Sequence, residues 1–162
     1  ALRSLGEVMS IKLTEQLREE KGGVYGVSSF GTMGRIPYGS ATFNIIFPCA
    51  PENVDTLSKA ALDELKKIIT VGVSAEDLEK IKEQQKRKLE VDLRQNRFWI
   101  DNLYDTYYYN TNPADILNKQ KMTDGLSSKM IQEVAKKYVN PKAFIKAILN
   151  PEKKEEKPLK GF

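Results

Sequence analysis

At 162 residues, with 40% hydrophobic and 30% charged side chains, the chain has the composition of one ordinary soluble globular domain with its own core. Its net charge of +4 comes from 26 basic and 22 acidic residues interleaved along the same stretches, which argues for solvated helix faces and against the basic stripe of a nucleic-acid module. Histidine is absent and Cys49 is the single cysteine, so a Ser-His-Asp triad, a Cys-His pair, a histidine-bearing zinc helix and an intrachain disulfide are excluded within this sequence.

The chain opens at Ala1-Leu2-Arg3-Ser4-Leu5 without an initiator Met and already in a helical pattern, which reads as a fragment or a processed product. No secretory signal pattern is present, and no apolar run approaches the length of a bilayer span. Residues 1–21 are predicted as a helix with Leu2, Leu5, Met9, Leu13 and Leu17 on one stripe. Gly22 is placed to end it in the left-handed conformation, with Arg18 and Lys21 complementing the negative end of the helix dipole. Residues 24–30 and 41–47 are predicted strands. In the second, Ala41, Phe43, Ile45 and Phe47 alternate with Thr42, Asn44 and Ile46, the period of a strand with one dominant buried face. Residues 31–40 between them read as a long exposed connection between antiparallel neighbours.

Pro48 and Pro51 stop the strand and open a helix with Leu57, Ala61, Leu62, Leu65, Ile68 and Ile69 on its apolar face and Gly72 at its end. Cys49 reads as a small buried apolar residue. Ser74 with Asp77 resembles a capping box with an acid in place of the usual Glu or Gln, and a long helix is expected from there at least to Arg94. Glu83 and Arg87 stand in the favourable i, i+4 order on it. From Phe98 and Trp99 the aromatic content rises through Tyr104, Tyr107, Tyr108 and Tyr109. At helical spacing such a cluster is expected in the core, although the same composition can make a ligand platform. Asn110 to Pro113 breaks the helix, and a shorter helical piece carries Ile116 and Leu117. Ser127 caps a helix to Val139, with Leu126 packing on Ile131 as a hydrophobic staple. Residues 143–149 are predicted as the last strand, and residues 151–162, with almost nothing to bury, as a disordered charged tail.

The predicted order α-β-β-α-α-α-α-β describes an α+β domain over residues 1–150, with helices packed on a small, mainly antiparallel sheet. Three strands are few for so much helix. That leaves a sheet edge to be completed by further parent sequence or by another copy, so self-association of the isolated chain is expected.

The stretch Leu17-Arg18-Glu19-Glu20-Lys21-Gly22-Gly23-Val24-Tyr25-Gly26-Val27 resembles the C-terminal half of the pitrilysin/insulinase family of zinc metallopeptidases. Phe47-Pro48-Cys49-Ala50-Pro51-Glu52-Asn53-Val54 and Asn96-Arg97-Phe98-Trp99 are similar to further blocks of bacterial members, in the same order. The resemblance implies a clam-shell enzyme in which the N-terminal half holds zinc on an inverted His-x-x-Glu-His helix and the C-terminal half supplies an arginine and a tyrosine across the cavity. Arg18 and Tyr25 match that pair, seven residues apart. The resemblance assigns them to holding substrate backbone and stabilising charge on the scissile carbonyl oxygen, with Gly23, between Gly22 and Gly26, keeping the turn close to the peptide. It implies no metal in this chain, zinc in the parent enzyme or a partner chain, and a peptide substrate. It implies as partner the N-terminal zinc-bearing half or a separate subunit, and a bacterial periplasmic or envelope location. The expected function is therefore the substrate-binding, transition-state-stabilising half-domain of a zinc metalloendopeptidase acting on unfolded peptides, inactive alone. The alternatives are a non-catalytic subunit of a two-chain processing peptidase and an interaction scaffold that has lost catalysis.

Overall fold

The structure is a computed structural model that describes residues 1–16 and 26–150. Helix α1 (Leu2–Thr14) lies at its centre, with Leu2, Ser4, Leu5, Gly6, Val8, Met9 and Leu13 buried. The predicted apolar stripe is thus the buried one, up to Leu17, which lies outside the described residues. Strands β1 (Ser28–Gly34) and β2 (Ser40–Ile46) form an antiparallel hairpin, in register from Ser28 opposite Ile46 to Gly34 opposite Ser40. Ladder pairing up to Gly34 shortens the predicted connection to residues 35–39, which include a cis Ile36–Pro37 bond. Along β2, Ala41, Phe43 and Ile45 pack against the core and the residues between them face outward, as the alternation requires.

Pro51 opens a short 3-10 turn that leads into α2 (Val54–Val71). Gly72 ends α2 at φ +93°, a conformation in which any Cβ is strained. Helix α3 (Ala75–Asp92) begins at Ser74, whose hydroxyl accepts from the Asp77 amide at 3.1 Å. The Asp77 carboxylate does more than cap. It is buried, accepts from the Ser74 hydroxyl, and pairs with Lys12 of α1 at 2.8 Å. The Glu83–Arg87 pair is absent among the described residues, and α3 instead pairs Lys80 with Glu76 and Lys88 with Asp92.

The long predicted helix is two helices. The chain breaks at Leu93–Gln95 and restarts as α4 (Asn96–Tyr108), although no Gly or Pro stands there. The Trp99 indole donates to the Leu93 carbonyl at 3.0 Å, and the amides of Arg94 and Gln95 bond three residues back, so side-chain and short-range bonds replace the helical ladder. Asn110, at φ 51°, follows the end of α4, and α5 (Lys119–Asp124) and α6 (Ser128–Tyr138) complete the fold. Ser127 caps α6 by accepting from Met130, and Leu126 and Ile131 are both buried, consistent with the predicted staple. Ser128 donates to the Val73 carbonyl at 2.6 Å and accepts from its amide at 2.9 Å, stitching α6 to the turn between α2 and α3. The core joins Leu5, Met9 and Leu13 of α1 to Leu57, Leu65, Ile81 and Ile131 of the surrounding helices.

The fold class is the expected α+β arrangement, but two elements differ from expectation. Residues 143–149 form no strand: Ile145 is 96% and Leu149 99% exposed, and Lys146 ties the segment to Asp55 of α2 at 2.6 Å. A strand exists only with a neighbour to take its backbone groups, and the sheet of the described residues has only β1 and β2. The aromatic cluster is not core either. Thr106 is the buried residue of α4, while Tyr104, Tyr107 and Tyr108 are 65%, 78% and 55% exposed. Helical spacing places side chains on one face; it does not supply the element that would cover them.

Burial pushes the Asp77 carboxyl up, but hydrogen bonds from Lys12 and Ser74 and the charges of Lys12 and Lys80 outweigh it and hold the group below the usual carboxylate range. The hydrogen bond to Asp77 raises Lys12 above the usual lysine range. The stabilisation from Asp77 is therefore present above its unfolded pKa and lost as pH falls through the folded value. That from Lys12 is present below its unfolded pKa and lost as pH rises through the folded one. Urea unfolding should show acid destabilisation that is smaller in Asp77→Asn, and an identical acid limb in that variant would refute the assignment. Lys12→Met, which strands a buried carboxylate, should cost about 3 kcal/mol.

Candidate functional site

Helix α1 and strand β1 run antiparallel at backbone-contact distance. Leu2 lies against Gly31, Gly6 against Ser29 and Phe30, and Ser10 against Ser29, so positions later in the helix meet positions earlier in the strand. A Cβ on Gly6 would stand 2.7 Å from the Phe30 Cα and 2.8 Å from the Ser29 carbonyl oxygen, and one on Gly31 would stand 2.9 Å from the Leu2 carbonyl oxygen. Glycine at both positions is what permits this approach.

The Ser10 hydroxyl closes the layer at its other end. It accepts from the Ser29 amide at 2.8 Å and donates to the Ser29 carbonyl at 3.2 Å. In an antiparallel ladder the amide and carbonyl of one residue face the same side. Both backbone groups of Ser29 are thus directed at the helix and away from Ile45, its partner on β2. One hydroxyl does there what a neighbouring strand would do.

Arg18, Gly23 and Tyr25, the residues singled out from the sequence, lie outside the described residues. The described chain leaves α1 through Gln16 and returns through Gly26 and Val27, and Val27 packs against the core. Because α1 and β1 are antiparallel, these two ends lie at one end of the layer, beside the Ser10–Ser29 contact. Two buried polar atoms without a hydrogen-bond partner among the described residues, Gln16 Oε1 and Ser29 Oγ, belong to this same end. Cys49 is half-buried with a free thiol and packs against the core, close to its expected place.

No group of three or more His, Cys, Asp or Glu among the described residues could hold a metal ion, and the sequence has no histidine. The donors among the described residues therefore do not fit a zinc centre. No helix among the described residues is long and apolar enough to cross a membrane.

Sequence reasoning missed a second feature, the surface of α4. Tyr104 stacks on Tyr108 with ring centroids 5.8 Å apart, Tyr108 meets Tyr109 edge-on at 5.0 Å, and the Arg35 guanidinium of the hairpin turn lies 5.4 Å from the Tyr109 ring. The row of rings therefore runs from the helix to the tip of the hairpin. On the same helix, Asn102 accepts from Lys119, whose ammonium sits 5.0 Å from the Phe98 ring. Burial, followed by the charge of Arg3, lowers the Lys119 pKa below the usual lysine range. The i, i+4 spacing of Tyr104 and Tyr108 was the signal in the sequence, where it favoured core over an exposed platform.

Residues 2–85 match the profile of the peptidase M16 inactive domain. A zinc protease PQQL-like protein of Arabidopsis thaliana is 28% identical over 134 residues, which cover 80% of this chain and 13% of that protein. Among solved structures, the peptidase M16 inactive domain from Pseudomonas fluorescens superposes with a TM-score of 0.72 at 15% identity, covering 86% of this chain and 34% of that one. The periplasmic protease PqqL from Escherichia coli superposes at 0.64 and 20% identity, covering 85% of this chain and 16% of that one. The chain thus spans a small part of the length of each. At these identities the structural likenesses show the fold.

The backbone contact between α1 and β1 sets a direct test. Gly6→Ala must push the helix off the strand and should destabilise the chain by roughly 1–3 kcal/mol, read as a lower urea midpoint. An unchanged midpoint would show that the layer is not close-packed at this position.

Proposed function

The chain belongs to the peptidase M16 family, and from that membership we propose that it is the substrate-binding, transition-state-stabilising half-domain of a zinc metalloendopeptidase acting on unfolded peptides. It is inactive by itself. The observation that supports this reading is the antiparallel α1–β1 layer, whose described residues Gln16 and Gly26 flank positions 17–25 in the sequence. That segment holds Arg18, Gly23 and Tyr25.

The chemistry of the pair suits peptide hydrolysis. As water adds to a scissile carbonyl, negative charge grows on its oxygen. A phenol O–H and a fixed guanidinium aimed at that oxygen favour the transition state over the ground state. Arg18 also has the donor geometry to hold a peptide carbonyl, and Gly23 leaves room for backbone to approach. Zinc belongs to the other half of the parent or to a partner chain, since the Arabidopsis relative is named a zinc protease and the donors among the described residues do not fit the metal. The periplasm is the proposed compartment, by likeness to the periplasmic PqqL. The functional unit is residues 1–150, with residues 151–162 a dispensable tail. The description of the matching domain as inactive favours one second reading, a non-catalytic subunit that pairs with a separate zinc-bearing chain. Native mass of the complex separates it from a single-chain enzyme.

In the full parent enzyme, Tyr25→Phe should lower kcat by on the order of 10²–10³. An unchanged kcat would remove Tyr25 from the chemistry. Arg18→Ala should raise KM for peptides while the melting temperature of the domain holds, and unfolding on that substitution would make Arg18 structural instead. A chain ending at Asn150 should keep the melting temperature of the longer one; a clear drop would put residues 151–162 inside the folded unit.

A further inference from the structure

We propose that two copies of this chain associate reciprocally through residues 143–149, each segment adding as a strand to the open edge of β2 in the other copy. The open edge follows from the Ser10 contact. Because both backbone groups of Ser29 bond Ser10, Ser29 and Ile45 are a ladder pair without mutual hydrogen bonds, and the antiparallel alternation makes Gly31–Phe43 and Met33–Ala41 pairs of the same kind. The amides and carbonyls of Ala41, Phe43 and Ile45 therefore point away from β1, and they find no hydrogen-bond partner among the described residues. Helix α1 covers the far side of β1; nothing among the described residues does the same for β2. Nor does β2 carry the usual protection of an edge, since Ser40–Ile46 has no charge, no proline and no bulge in its register. Such a row of unpaired groups is a template for another strand.

The strand that fits this edge is in the chain itself. Residues 143–149 match β2 in length, and apart from the Ala143 amide, which bonds Asn140 across a turn, their backbone groups have no partner among the described residues. In an extended strand Ala143, Ile145, Ala147 and Leu149 fall on one face and Phe144, Lys146 and Ile148 on the other. The first set is wholly apolar, and Ile145 and Leu149 are almost fully exposed. Beside β2 that set continues the inner face of Ala41, Phe43 and Ile45, which packs on the core, and Lys146 stands with Thr42 and Asn44 on the outer face. In one copy the two surfaces do not meet, because the sheet holds only β1 and β2 and Lys146 ties the segment to Asp55 of α2. That tie is a single exposed ion pair and is weak. A strand from elsewhere would cover β2 and still leave 143–149 without an edge. Reciprocal addition completes both at once, and it closes on a two-fold axis with neither surface left to recruit a third copy.

The test is sedimentation equilibrium of the 162-residue chain over a range of concentrations, with amide exchange read on the same samples. The chain should pass from the mass of one copy to that of two as concentration rises, and the amides of Ala41, Phe43 and Ile45 should become protected with it. Ile145→Glu, which puts a charge on the covered side of the added strand, should weaken the dimer by at least about tenfold. A chain ending at Lys142 should stay monomeric. Ile100→Glu, on the exposed face of α4, should leave the dimer unchanged. A wild-type chain that is monomeric at every concentration overturns the proposal, as does a dimer that survives both Ile145→Glu and the loss of residues after Lys142. A dimer lost in Ile100→Glu and kept in Ile145→Glu moves the contact to α4 and overturns it too. Protection of the three amides in a monomer also overturns it, because the segment then closes on β2 of its own copy.

Discussion

The structure depends on how closely α1 approaches β1. A two-stranded hairpin is marginal on its own in water, because it has one ladder of hydrogen bonds and little apolar surface to bury. Here the hairpin is held by a helix that touches its backbone. Gly6 and Gly31 remove the side chains that would stand between the two, and Leu2, Leu5 and Met9 then fill the space beside the contact. The remaining helices are arranged around the rest of α1: α3 through Lys12 and Asp77, α6 through the core at Ile131 and Ala135.

The seams between elements are closed by polar groups that each serve more than one partner. Gln85 of α3 donates to Ser4 at 3.0 Å and to Glu7, and accepts from Thr123 at 3.3 Å, joining α1, α3 and α5. Ser128 and Ser10 each satisfy both backbone groups of a single residue. Such contacts add modest net stability, since water would bond the same groups in the unfolded chain. Their larger effect is specificity: a slide of one element along another leaves a part-buried amide and carbonyl unpaired, which is costly.

Two surfaces stand apart from this economy of contacts. The tyrosine face of α4 and the extended residues 143–149 are both apolar in composition and both exposed. Their sequences were read as core and as strand because local pattern reports what a segment is suited to, and burial requires a partner that the segment does not encode. The chain covers 16% of the E. coli PqqL structure and 34% of the P. fluorescens one, so the lengths it is compared with far exceed its own.

The sequence by itself determined the elements whose signals are local. Pro51 and Gly72 bound α2, Ser74 and Ser127 cap α3 and α6, and the alternation of Ala41, Phe43 and Ile45 sets the buried face of β2. Backbone conformation and capping are decided within a few residues, so these were legible without a fold. The family was legible as well, through the stretch around Arg18 and Tyr25, and the match over residues 2–85 agrees with it. Only the tertiary structure decided the break at Leu93–Gln95, the burial of Asp77 against Lys12, the clamp of Ser10 on Ser29 and the outward turn of the tyrosines. Each of these depends on a group distant along the chain or on the lack of one, and a one-dimensional pattern carries no information about which surfaces meet.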